Sequence, residues 1–133
     1  MHANGGCHCG YVCFEAEIDP EQVIVCHCTD CQTLSASAFR TVAFVPEASF
    51  SLKSGKLNTY VKVADSGNRR EQTFCPHCGT HIYAAPAGET GSRTLGVRVG
   101  TLRQRARLRP RKQYYCRSAL DWVMDLGSVE QVR

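Results

Sequence analysis

The stretch Cys26-His27-Cys28-Thr29-Asp30-Cys31 places three thiols within six residues, and two shorter stretches echo it, Cys7-His8-Cys9-Gly10 and Cys75-Pro76-His77-Cys78-Gly79. Cysteines one or two residues apart are poor disulfide partners, because the bridge needs Cα separations and angles that such short loops rarely allow. They are good zinc ligands. Thiolates sit about 2.3 Å from the ion, and one tight turn brings two of them onto it. Gly10 and Gly79 each follow a second cysteine, where a residue without Cβ lets the backbone turn back toward a metal. Buried free cysteines would not cluster in this way, and the spacings do not match the usual four-cysteine runs of iron–sulfur proteins. Of the nine cysteines, Cys13 and Cys116 stand alone.

Seven clustered thiols divide unequally between two zinc ions. Four thiolates close a tetrahedral structural site, and three leave a position open, the pattern of a catalytic zinc. Spacing alone does not say which clusters pair. The middle cluster can hold an ion without outside help, whereas each outer cluster supplies two thiolates and needs another pair. Cys7, Cys9, Cys75 and Cys78 are therefore assigned to a structural zinc, and Cys26, Cys28 and Cys31 to a catalytic zinc. The three-cysteine site, with one ligand fewer, is expected to be partly occupied. Cys31 is expected in the first turn of a short helix, where the dipole favours a thiolate.

Around these clusters the pattern is that of strands. Tyr11–Ile18 alternates, with Val12, Phe14, Ala16 and Ile18 on one face and Glu15 and Glu17 on the other. Val23–Cys26, Thr41–Val45, Leu57–Val63, Gln72–Cys75, His81–Ala85, Leu95–Val99 and Gln113–Cys116 are further short strand candidates. Turn residues separate them, at Pro46, Ser54-Gly55, Ser66-Gly67-Asn68, Pro76 and Pro86 to Gly91. One helix is expected over Thr29–Ser37, capped by Thr29 or Asp30. The fold class is thus mainly β, with one or two short helices, in one domain over residues 1–133.

Composition sets outer limits. The chain is 43% hydrophobic and 21% charged, as a globular domain is, and no apolar run approaches the roughly 20 residues of a membrane span. The start MHANGGCHCG has neither the basic beginning nor the apolar core of a signal peptide. The expected compartment is the cytoplasm, where thiols stay reduced and cysteine clusters serve metal or redox chemistry. Of 16 Lys and Arg, six lie between Arg103 and Lys112, which leaves ten against 12 acids elsewhere. A general nucleic-acid binder spreads its positive charge further, so nucleic acid is not an expected partner.

The three cysteine stretches also identify a resemblance. Gly5–Phe14, Cys26–Phe39 and Phe74–Tyr83, with the tail Arg117-Ser-Ala-Leu-Asp-Trp-Val123, resemble the family of glutathione-dependent formaldehyde-activating enzymes, and the likeness covers nearly the whole chain. It implies a small zinc-binding β-tent domain, with four cysteines structural and three catalytic. It also implies a carbon–sulfur lyase joining formaldehyde to glutathione as S-(hydroxymethyl)glutathione. The expected partners are accordingly a small thiol such as glutathione and an aldehyde. An open metal position suits a substrate thiol, since a metal-bound thiol is deprotonated and the thiolate is the nucleophile. Rival expectations are a zinc-stabilised binding module and a thiol sensor that releases zinc on oxidation.

The remaining polar residues carry weaker expectations. His8 and His27 lie between cysteines and would point away from a metal in an extended segment, which suits packing or positioning. His81 is either a proton donor at the catalytic site or a half-buried, hydrogen-bonded histidine. His77 is expected to face solvent, and His2 to lie in a mobile terminus. Arg103, Arg105, Arg107, Arg109 and Arg111 recur at every second position and would share one face of an extended chain, either as an anion site or as a solvated edge. Arg109 and Arg111 are the two placed to contact a ligand. Cys13 should face away from the apolar side of its strand, Cys116 is expected to be a buried thiol, and Trp122 a core or lid residue. Ser35 and Ser37 could offer hydroxyls to a ligand or serve in capping and packing.

Overall fold

The computed structural model describes residues 1–133 apart from Glu89, so within the expected Pro86–Gly91 turn that position lies outside the described residues. Two sheets organise the chain. The smaller is antiparallel and runs β1 (His2–Gly6), β2 (Cys13–Glu17) and β5 (Phe50–Ser54), in that spatial order. The larger has seven strands in the order β10 (Lys112–Tyr114), β3 (Val23–Cys26), β4 (Arg40–Pro46), β9 (Thr94–Arg98), β8 (His81–Pro86), β7 (Arg69–Phe74) and β6 (Asn58–Val63). All its pairings are antiparallel except that of β10 with β3. The single α-helix, α1, spans Thr29–Ser35, and short 3-10 turns make up the remaining helical structure among the described residues.

The alternation read from the sequence is what fills the space between the sheets. Val12, Phe14, Ala16 and Ile18 are all buried, and they meet Val23, Ala43, Val45, Leu95 and Val97 of the larger sheet in one core. Phe14 stacks on Phe50 with ring centroids 5.0 Å apart, which ties β2 to β5. Cys13, on the opposite side of β2, is exposed, as expected. The other face of the larger sheet carries a smaller cluster of Ile24, Cys26 and Val42, with Cys28, Cys31 and Phe44 against it. This second face is where α1 lies.

Several local expectations need correction. The N-terminus is a paired strand: β1 runs in register with β2 from His2↔Glu17 to Gly6↔Cys13, and His2 Nδ1 lies 3.0 Å from Glu17 Oε1. Its sequence, His-Ala-Asn-Gly-Gly, has no apolar alternation. Gly5 is needed for close approach, since a Cβ there would lie 2.8 Å from the Phe14 ring and against the Thr101 carbonyl. β5 is also additional to the expected strands. The arginine run is not extended. Arg105–Arg107 form a 3-10 turn, so the every-second-residue pattern does not define one face. Cys116 begins another 3-10 turn and is exposed, not buried, with its thiol donating to the Gln113 carbonyl at 3.7 Å. Trp122 is 55% exposed, on the wall of a surface cavity shared with Gln32, Phe39 and Leu126, and is no core residue.

Candidate metal centres

The first centre sits where two hairpin connections meet. The β1–β2 connection carries Cys7 and Cys9, the β7–β8 connection carries Cys75 and Cys78, and the four Sγ atoms lie within 4.8 Å of one another. The Cys7–Cys9 sulfurs are 3.6 Å apart and the Cys9–Cys75 sulfurs 3.8 Å. A tetrahedron with metal–sulfur bonds of about 2.3 Å has edges of about 3.8 Å, so the donor set fits a zinc ion. Both connections turn through glycines in the left-handed region, Gly10 at φ +86° and Gly79 at φ +78°.

Backbone groups point at these sulfurs. The Val12 N–H donates to Cys7 Sγ at 3.2 Å, and the His77 N–H to Cys75 Sγ at 3.3 Å. Thr80 ties the two connections together. Its hydroxyl lies 3.2 Å from Cys78 Sγ and accepts from the His8 N–H at 3.1 Å, while its carbonyl accepts from the Cys75 N–H. The Thr80 hydroxyl and backbone bring the Cys78 thiol down to about 5. The Tyr11 backbone lowers the Cys9 thiol, but burial and the thiols of Cys7, Cys78 and Cys75 outweigh it and push Cys9 up to about 12. Four sulfurs this close titrate as a set, with the charge resting on some members at the expense of others. His8 and His77 are both exposed, and the His77 ring meets the Tyr11 ring edge-on at 4.2 Å.

The second centre lies on the outer face of the larger sheet. Cys26 ends β3, Cys28 caps α1 and Cys31 lies in its first turn, and their Sγ atoms also fall within 4.8 Å of one another. The cap is the Cys28 sulfur, which accepts from the Cys31 N–H at 3.2 Å, and not Thr29 or Asp30. The helix ends two residues earlier than expected, at Ser35, where Ala36 turns left-handed at φ 51°. Cys26 is held below its ordinary pKa chiefly by the hydrogen bond from Cys31, and that bond pushes Cys31 up in return.

Two residues that the sequence left unremarked hold this segment in place. Gln32 donates through Nε2 to the His27 carbonyl at 2.8 Å and to the Ser118 carbonyl at 3.0 Å, which docks α1 on the strand end and the C-terminal segment. Gln113 of β10 meets His27 Nε2 at 2.9 Å. His27 is 1% exposed and edge-on to Phe39, which suits the packing or positioning role expected of it. Its place directly after Cys31 and four residues on from Cys28, on the face of α1 that Cys28 begins, is the one signal that could have flagged Gln32.

A cavity of about 480 Å³ opens where the end of α1, β4 and the β7–β8 connection meet, with no cysteine among its described wall residues. Leu34 and Ser35 from the end of α1, Arg40 and Thr41 from β4, Arg98 from β9, and Gly79 and His81 beyond the first centre contribute to its wall. His81 is half-buried, its ring stacked on Phe74 at 5.9 Å, and burial, with Arg98 and Arg40 nearby, lowers its pKa. Arg109 and Arg111 are exposed and lie outside this wall. Arg111 pairs at the surface with Glu21 at 3.5 Å. Ser35 donates weakly to the Gln32 carbonyl at 3.4 Å, a helix-end role, and Ser37 lines the Trp122 cavity instead.

A crystal structure of a Rhodobacter sphaeroides protein, determined as a structural-genomics target, shares this fold with a TM-score of 0.62. The two are 20% identical, and the match covers 83% of this chain and 98% of that one. Two cysteine centres in a mainly β chain agree with the likeness carried by the sequence itself. Over residues 2–118 the sequence matches the family described as glutathione-dependent formaldehyde-activating enzyme, and the chain belongs to that family.

Proposed function

We propose that the chain is a zinc-dependent carbon–sulfur lyase that forms or cleaves a thiol–aldehyde adduct such as S-(hydroxymethyl)glutathione, folding as one unit over residues 1–133 and acting in the reducing cytoplasm. The observation that carries the reading is the three-cysteine centre in a member of this family: three thiols gathered by one β3–α1 connection, with a cavity beginning one turn beyond Cys31. Cys7, Cys9, Cys75 and Cys78 would hold a structural zinc, and Cys26, Cys28 and Cys31 a second ion with one position free. When bound there, zinc supplies the acidity that keeps a substrate thiol deprotonated.

The chain's own residues do the rest. Cys26 is fixed by the β3–β4 ladder, and Cys28 and Cys31 by the first turn of α1, so the donor set is preorganised. In the adduct-forming direction the substrate sulfur bonds to the carbonyl carbon, the carbonyl π pair moves to oxygen, and that oxygen takes a proton. His81, on the cavity wall, is the proton carrier we assign. The reverse direction returns the thiol and the aldehyde.

The adduct also forms spontaneously, so the test is a rate above background. We expect zinc-loaded protein to accelerate formaldehyde–glutathione exchange, followed by NMR, and the Cys28→Ser variant to return it to the uncatalysed rate. Equal exchange with and without the zinc-loaded protein would remove the lyase reading.

A further inference from the structure

Two arginines on the outer face of the larger sheet have no carboxylate partner among the described residues. Arg40 stands directly across the ladder from Cys26, and Arg98 across from Val42, two residues further along β4. The cross-strand and diagonal spacing of a sheet therefore sets both guanidiniums beside the three-cysteine centre. Arg40 is 7% exposed and Arg98 8%. Arg98 donates to neutral acceptors only, the Gly96 carbonyl and Gln72 Oε1, both at 2.9 Å. Nε and Nη2 of Arg40 and Nε of Arg98 are buried without an acceptor.

That arrangement is costly, because a buried donor on a charged group normally has a partner. The cysteines do not balance it. A zinc ion with three thiolates carries about one net negative charge, and Arg70 adds a third guanidinium, whose charge is disfavoured by burial and then by the nearby Arg40. No carboxylate among the described residues forms an ion pair with Arg40, Arg70 or Arg98. Among the described residues the cavity wall holds Arg40, Arg98, His81 and the hydroxyls of Ser35 and Thr41, and no acidic side chain. The contrast with Arg93 is direct: half-buried, its guanidinium is bonded to Glu47 and Glu71 together.

We infer that Arg40 and Arg98 form an anion subsite that takes a carboxylate of the thiol substrate, so that the substrate is held at two points, its carboxylate on the guanidiniums and its sulfur toward Cys26, Cys28 and Cys31. Guanidinium forks match carboxylate geometry with paired, charge-assisted hydrogen bonds. The subsite rests on the thiol-adduct reading for the role of the sulfur, but it predicts binding that needs no reaction.

The test is calorimetric titration of the zinc-loaded protein with S-methylglutathione, whose blocked sulfur removes the thiol from the measurement. We expect binding that weakens at least about tenfold for the diester of the same compound, which keeps its ammonium and loses both carboxylates, and by a similar factor in Arg40→Gln. Arg40→Lys, which keeps the charge without the fork, should fall between. Equal binding of the acid and its diester to the unmodified protein would overturn the inference without any variant, as would no binding of either. Carboxylate-dependent binding together with uncatalysed formaldehyde exchange would keep the subsite and remove the lyase reading. Catalysed exchange with binding indifferent to the carboxylate would do the reverse.

Discussion

The four-cysteine centre joins Cys7 and Cys9 to Cys75 and Cys78 across two sheets, whereas the three-cysteine centre is complete within one β3–α1 connection. Around the first, the polar neighbours are backbone N–H groups and Thr80, which hold sulfurs still and close the shell. Around the second they are guanidiniums and a cavity, which leave room and charge for something else. The same ligand type thus meets two physical problems. A crosslink between distant segments restrains the unfolded chain and stabilises the fold, while a locally complete set adds little to the fold and is free to serve chemistry.

The largest consequence should appear on removing a long-range ligand. Cys7→Ala is expected to abolish the cooperative thermal transition, since structural zinc in small domains supplies about 10–16 kcal/mol, as much as a whole domain's net stability. A native-like melting curve by circular dichroism would break the comparison. Cys28→Ser should instead fold, because serine is a good N-cap and replaces the Cys28 cap of α1. Bound zinc should drop from about two ions to about one, with exchange at background, and loss of both ions would show the centres to be coupled.

A subtler test leaves every cysteine in place. Thr80→Val removes the hydroxyl that Cys78 and the His8 N–H share. Chelator competition should show affinity at the four-cysteine centre reduced by about 10–100-fold, with exchange at the other centre little changed. The smallest effect belongs to an ion pair outside both centres. Arg93 holds the Glu47 carboxyl down to about 2 from an ordinary 4.5. Between those values the unfolded chain binds the extra proton, so this carboxylate stabilises the fold above about pH 4.5 and loses that contribution as pH falls toward 2. Glu47→Gln should flatten that part of the acid unfolding profile. Superimposable profiles would remove the assigned role of Glu47.

Much of this architecture is legible along the chain. The Val12–Ile18 strand follows from alternation, β3 from a short apolar run and the position of α1 from cap-forming residues, all signals within a few residues, which is how far local sequence reaches. β1 is not legible, because a strand whose partner supplies the apolar face and whose glycines supply close approach has no periodicity of its own. The arginine run misleads for a related reason. Alternation in charge reads as extension, but Leu108 turns into the core and the backbone coils to bring it there.

What the sequence by itself determined is the chemistry available: seven thiols in three short clusters, one of them complete in itself, within a mainly β chain. The tertiary structure alone decided which distant groups meet. Burial of the Phe14 and Phe50 face against the larger sheet brings the β1–β2 connection onto the β7–β8 connection, and the order β3, β4, β9 sets Arg40 and Arg98 beside Cys26. Ligand spacing is a short-range property of backbone geometry. Strand order is a property of the whole core, settled by which faces exclude water together.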